Sequence, residues 1–263
     1  MSDAEHDAAQ RYGAVIVVGG GCYGGYYVRQ LRRAAEAGAV TIDRLVVVDR
    51  DPECAVASEA GAAPLAVELV VANWRAFFHE YLADAARHPE AHARDAIVPS
   101  PLMPHLMGEW LVDRARERVG SHAVAVLPVE HVPPVPWQRA GADGTHYVSF
   151  ATWECPVNCV EPRTCPHTRG PRDWSLPVAI ARHAERERQA DRPIVSAVLH
   201  CRHRAYGVGM FDTAEVVDAD RRIAAASASG AADVLIGTVS HCHGALTRFV
   251  VGGASSRGGS RGR

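Results

Sequence analysis

Lysine is absent from the 263 residues, so all 28 basic side chains are arginine. That removes a lysine Schiff base and a lysine general base from the available chemistry. No apolar run is long enough to span a bilayer, and the opening MSDAEHDAAQ lacks the basic start and apolar stretch of a secretory signal. A cytoplasmic protein without a membrane partner is the expectation. Excess charge is missing too: 28 basic against 30 acidic residues leave a net charge of −2 at pH 7. Such a balance supplies no general field for nucleic acid, so no specific nucleic-acid partner is expected, although the closing SSRGGSRGR is a short cationic tail. The seven cysteines are an odd number, which excludes complete disulfide pairing. In a cytosolic chain, thiols act more often as ligands, reactive groups or small buried apolar residues.

What is present is an ordinary globular composition, 48% apolar and 22% charged, on a length that suits one large α/β domain or two small ones. The stretch GAVIVVGGGCYGGYYVRQLRRAAEAG reads as strand, tight turn and helix: an apolar run from Ala14 to Val18, a glycine cluster, then a helical pattern. Gly19, Gly21 and Gly24 satisfy G-x-G-x-x-G, and the next apolar run, RLVVVD, ends on Asp49. Glycines at those positions let backbone approach a pyrophosphate at the positive end of a helix, and an acid at the tip of the second strand accepts bonds from ribose hydroxyls. Over residues 13 to 55 this pattern resembles the NAD(P)-binding Rossmann superfamily. The resemblance implies a dinucleotide cofactor, NAD or NADP with FAD a weaker alternative, held by Gly19, Gly21, Gly24 and Asp49. Arg50 leaves NAD against NADP open, since an arginine there suits a 2′-phosphate.

Further α/β signals follow. PLAVELVVANW and DAIV read as strands and RAFFHEYLADAARH as a helix, with a second helix from Met107 onward; Ser100 and His105 would then sit at a carboxyl edge of the sheet. AVAVLPVEHV reads as one more strand and VPPVPW as a stiff connector. Late in the chain, RPIVSAVLHCRH and ADVLIGTVSHCHGAL read as two strands separated by the helix TAEVVDADRRIAAASASG, with RAYGVGMF as a flexible loop. Both strands run into similar words, His200, Cys201 and His203 in one and His241, Cys242 and His243 in the other. If parallel, they would deliver these groups to the same edge as the glycine turn.

Between these halves lies ATWECPVNCVEPRTCPHTRGPRDW, with Cys155, Cys159 and Cys165 spaced C-x3-C-x5-C and prolines at 156, 162, 166 and 171. The prolines stiffen the segment against helix and strand. The spacing misses the usual C-x2-C zinc knuckle, but three cysteines beside prolines resemble an iron–sulfur binding loop, completed by a remote thiol. Cys242 is the expected fourth ligand, with Cys201 as the alternative. Zinc on the three cysteines plus His167 or Cys242, and a stiffened turn with buried or redox-active thiols, are the competing readings. Glu161, Arg163, Arg169 and Arg172 surround the third cysteine, where guanidinium groups would offset thiolate charge.

The expected fold is therefore α/β, a mainly parallel Rossmann-like sheet with an inserted Cys/Pro-rich metal-binding loop. The expected divisions are a disordered N-terminus at 1–12, a nucleotide-binding half at 13–147, a cluster-binding segment at 148–192, a second α/β half at 193–253 and a disordered basic tail at 254–263. The expected function is a cytoplasmic iron–sulfur oxidoreductase in which a 4Fe-4S centre, or zinc as the alternative, stands beside the dinucleotide. It would couple NAD or NADP to a small-molecule substrate, with His241, His243 or His203 handling protons and Tyr206 as a lesser donor. Two alternatives are a sensing module that regulates a protein or electron-transfer partner, and a non-redox iron–sulfur or zinc enzyme.

Overall fold

The computed structural model describes residues 10–59, 65–142, 144–156, 159–189 and 194–252. Of the expected disordered segments, residues 1–9 and 254–263 lie outside the described residues, while 10–12 open the first strand. In chain order the elements are β1 (Gln10–Val18), α1 (Cys22–Glu36), β2 (Val40–Asp49), β3 (Val67–Val71), α2 (Trp74–Arg87), β4 (Ala96–Val98), α3 (Leu106–Val119) and β5 (Val124–Leu127). There follow β6 (Trp137–Ala140), β7 (His146–Ser149), α4 (Leu176–Gln189), β8 (Ile194–His200), β9 (Arg202–Ala205), β10 (Val208–Asp212), α5 (Thr213–Ala228), β11 (Ala232–Val239) and β12 (His243–Val251). No helix among the described residues is long and apolar enough to cross a membrane.

The chain divides into two compact units. The first draws on residues within 1–104, 156–162 and 201–217, the second on residues within 105–155, 163–200 and 218–263. In the first, a six-stranded sheet runs β3-β2-β1-β4-β10-β9. Its first four strands are parallel, while β10 is antiparallel to β4 and to β9. Val15, Val17, Val47, Val28 and Leu31 are buried between this sheet and α1. Apolar residues on both faces of β1 and β2 explain the unbroken valine runs: such a strand is covered on either side.

The second unit has its own sheet, β6-β7-β12-β11-β8, with β5 also pairing with β12. Only β8 and β11 are parallel; β12 is antiparallel to β11, β7 and β5. Its core gathers Val148, Leu176, Ile180, Leu235 and Leu246.

These two mixed sheets correct the expectation of one mainly parallel Rossmann-like sheet. The reason lies in the connections, because a two-residue turn joins only antiparallel strands whereas a parallel pair needs a crossover of a dozen residues or more. RAYGVGMF is such a hairpin and not a loop: Tyr206 and Gly207 both have positive φ, +46° and +83°, as a two-residue turn that follows the strand twist requires. ADVLIGTVSHCHGAL likewise folds back on itself between β11 and β12. Ser240 holds that turn, its hydroxyl oxygen accepting from the amides of Cys242 and His243, both at 3.2 Å. RPIVSAVLHCRH, which reads as one strand, is split at Cys201 into β8 and β9, which belong to different sheets.

Candidate functional site

The glycine turn lies wholly in the first unit. Gly19 donates its amide to the Val48 carbonyl at 2.9 Å and takes a φ of +91°, so the chain leaves β1 in a conformation that favours glycine. At Gly24 a Cβ would fall 1.9 Å from the Gly19 carbonyl oxygen, so only glycine lets α1 begin this close to the turn. Gly21 is the N-cap of α1, provides no side-chain cap, and faces open space, nothing lying within 4 Å of where its Cβ would be. The first turn of α1 carries no acid. By contrast α2 closes its own start, with Asn73 Oδ1 accepting from the amides of Arg75 and Ala76 at 2.9 and 3.4 Å. The amides opening α1 are thus the ones offered to an anion.

Asp49 is built into this turn. Its Oδ2 accepts from the Gly20 amide at 2.6 Å and its Oδ1 from the Asp51 amide at 2.9 Å. Each carboxylate oxygen has a second lone pair for a hydroxyl. Trp74, which the sequence did not single out, lies across the turn. Its indole N–H donates to the Val48 carbonyl at 2.8 Å, and its ring comes within 3.2 Å of the position a Gly19 Cβ would take. Gly21, Tyr23, Asp49, Trp74, Ser100 and Leu102 border a cleft of about 360 Å³. An adjoining hollow of about 300 Å³ shares Asp49, Arg50 and Trp74 and adds Arg75 and Met103. The signal for Trp74 was ANW after an apolar run, an N-cap residue followed by a helix start.

Other expected residues of the first unit sit apart from this turn in the sequence pattern but share the unit. His203 Nδ1 is 3.7 Å from Oε2 of Glu161, a buried carboxylate whose backbone has a φ of +49°. Cys201 is half-buried as a residue, yet its sulfur reaches inward, 2.8 Å from where a Gly209 Cβ would be. That enclosure, reinforced by the Glu161 carboxylate, pushes its pKa up to about 12, so the thiol is protonated at neutral pH. Cys159 is half-buried in the same unit, and Tyr206 is exposed with the Arg33 guanidinium 5.7 Å from its ring centre.

Cys155, Cys165, Cys242, His241 and His243 belong to the second unit. The parallel pairing of β8 with β11 does bring His200 and His241 to one sheet edge, their rings 4.6 Å apart and edge to face. That edge belongs to the second sheet and not, as expected, to the sheet of the glycine turn. His241 Nδ1 is 3.1 Å from the Ser175 hydroxyl. Cys242 is buried in the turn between β11 and β12 and accepts a hydrogen bond from the Trp174 indole N–H at 3.2 Å. Cys165 sits in a tight turn, its amide bonded to the Gly170 carbonyl at 2.9 Å and its carbonyl to the Arg169 amide at 2.8 Å. Amides of Thr168 and His167, with the Thr168 hydroxyl and the Arg172 charge, hold its thiol pKa below the ordinary value. His167 stacks on Trp153 at 4.5 Å. His105 is structural: buried, it bonds the hydroxyls of Thr238 at 3.1 Å and Thr247 at 2.8 Å. Among the described residues no three His, Cys, Asp or Glu side chains form a group that could hold a metal ion.

The protonation pattern at His243 follows from its neighbours. Ser149 Oγ lies 2.7 Å from the Ala151 carbonyl oxygen, so its hydroxyl proton points there, and it accepts from the Ala151 amide at 2.9 Å. His243 Nδ1, 3.0 Å from the same oxygen, must then be the donor.

A family model, AF_1314_C, described as "Uncharacterized protein, C-terminal domain", matches residues 107–252. The chain belongs to this family. The match takes in every cysteine of the proline-rich segment together with Cys201 and Cys242, and it leaves the glycine turn outside. No curated protein and no solved structure matches the chain.

Proposed function

We propose that the chain binds NAD or NADP at the glycine turn and works as an oxidoreductase on a small-molecule substrate. The observation that carries this reading is the uncapped start of α1, which opens beside Gly21 into a cleft while Gly24 brings helix and turn into contact. The amides of the first turn would receive the pyrophosphate, aided by the positive end of the helix. Asp49 keeps the turn in shape through Gly20 and has lone pairs left for a ribose hydroxyl. Arg50 and Arg75 border the adjoining hollow and supply positive charge for a phosphate. A bound nicotinamide would supply hydride transfer; the residues named here bind and orient it. Among the described residues the thiols do not gather into a metal-holding group, and no ligand role is proposed for them.

Calorimetric titration of the full chain with NADH and with NADPH tests the reading. Saturable binding that Gly21→Arg abolishes, at an unchanged melting temperature, is the expected result, since the new side chain enters open space and fills the cleft. Binding that survives Gly21→Arg would refute the assignment.

A further inference from the structure

The second unit carries a cleft of its own. β6 and β7 pair so that Trp137 opposes Ser149 and Arg139 opposes Tyr147, and β7 pairs with β12 so that Ser149 opposes His243. Opposed residues share a face of a sheet, as do residues two apart. Trp137, Arg139, Tyr147, Ser149 and His243 therefore lie on one face, and they line a cleft of about 460 Å³. Val148 and Leu246, on the other face, are in the core. Trp137 keeps 40% of its surface exposed on strand β6 at the end of the sheet.

We infer that this cleft binds a ligand combining a flat ring with an anionic group, of the mononucleotide class. An exposed tryptophan beside a tyrosine is a stacking surface that any nucleobase suits. Arg139 lies next to Tyr147 on the same face, and its guanidinium suits a phosphate held beside a stacked base. His243 lines the same cleft with its Nδ1 held by Ser149. Glu154, also in the lining, accepts from an exocyclic amine. The Arg139 guanidinium beside the aromatic pair favours an anionic ligand over a neutral sugar, and the volume falls within the range of small-molecule sites. This site involves none of the glycine-turn residues.

The test uses the full chain carrying Gly21→Arg, so that the glycine turn is blocked. AMP, adenosine, ribose 5-phosphate and inorganic phosphate are titrated by calorimetry. Saturable AMP binding, weakened roughly tenfold by Trp137→Ala and by Arg139→Gln, supports the inference when adenosine binding responds to the tryptophan change alone. Both positions are exposed on an end strand, and melting curves confirm that each variant is folded. Absence of saturable AMP binding, binding that neither substitution alters, or ribose 5-phosphate binding as tightly as AMP would each overturn it. Failure of NADH binding in the unsubstituted chain is read separately and leaves this outcome unaffected.

Discussion

Replacing Gly24 by alanine pits two effects of known sign against each other. In a helix, alanine is favoured over glycine by about 1 kcal/mol, and Gly24 lies inside α1. Against that gain stands a Cβ placed 1.9 Å from the Gly19 carbonyl oxygen and 2.9 Å from its carbon, both backbone atoms that cannot rotate away. Relief requires the helix and the turn to separate, and overpacking of this kind costs about 1–3 kcal/mol, with backbone obstacles toward the upper end. The net expectation is destabilisation by about 2 kcal/mol. Gly25→Ala is the control, since its Cβ meets only the end of the Arg29 side chain at 3.2 Å. There the helical preference should prevail, with stability unchanged or raised by up to about 1 kcal/mol. Urea denaturation of both variants supplies the numbers, and NADH titration of Gly24→Ala should show affinity lowered at least about tenfold as the amides move from the pyrophosphate. A Gly24→Ala protein as stable as the unsubstituted chain would refute the packing argument, and with it the account of why the turn needs that glycine.

His105→Ala should cost about 3 kcal/mol in urea denaturation, because it opens a cavity and leaves the buried Thr238 and Thr247 hydroxyls without their partner; a loss below about 1 kcal/mol would contradict its structural role. Cys165 should be alkylated by iodoacetamide with a pH midpoint below that of the same peptide in urea, as followed by mass spectrometry. With its folded pKa lowered, the contribution of the thiolate to stability is full above the unfolded thiol pKa and is lost as pH falls through the folded value. A midpoint at or above the urea value would sink the claim. His183 is buried on α4, and burial lowers its pKa; the charges of Arg186 and His131 add to the shift, while Glu187 and a hydrogen bond to the His131 backbone oppose it. Its neutral form is favoured by the fold, so stability holds above the ordinary histidine pKa and declines as pH drops through the lowered one. His183→Leu should flatten the loss of melting temperature below about pH 6.5, and an unchanged slope would assign that loss elsewhere.

Much of the first unit was legible in the chain. Val15 to Val18 and Leu45 to Val48 are apolar without interruption because both of their faces are covered, and the glycines between them sit where turn and helix meet. The segment between β7 and α4, with its three cysteines and four prolines, carries no helix and no strand where it is described, as its prolines dictate. The hairpins were less legible. His241 and Cys242 form a turn without glycine, asparagine or proline, and its support comes from the Ser240 hydroxyl, a bond that spacing does not announce. Trp74 is set apart only by the turn it covers, because an aromatic residue at a helix start is otherwise ordinary.

By itself, then, the sequence determined which segments could be strands and helices, where glycine was needed at the first turn, and that no lysine chemistry was open. These are local consequences of side-chain size, periodicity and backbone freedom. Only the tertiary structure decided that β8 and β9, separated by Cys201 alone, part into different sheets, that β12 turns back along β11, and that Asp49 accepts from the Gly20 amide. Strand partnership depends on hydrogen bonds between distant residues, and these leave no periodic trace along the chain.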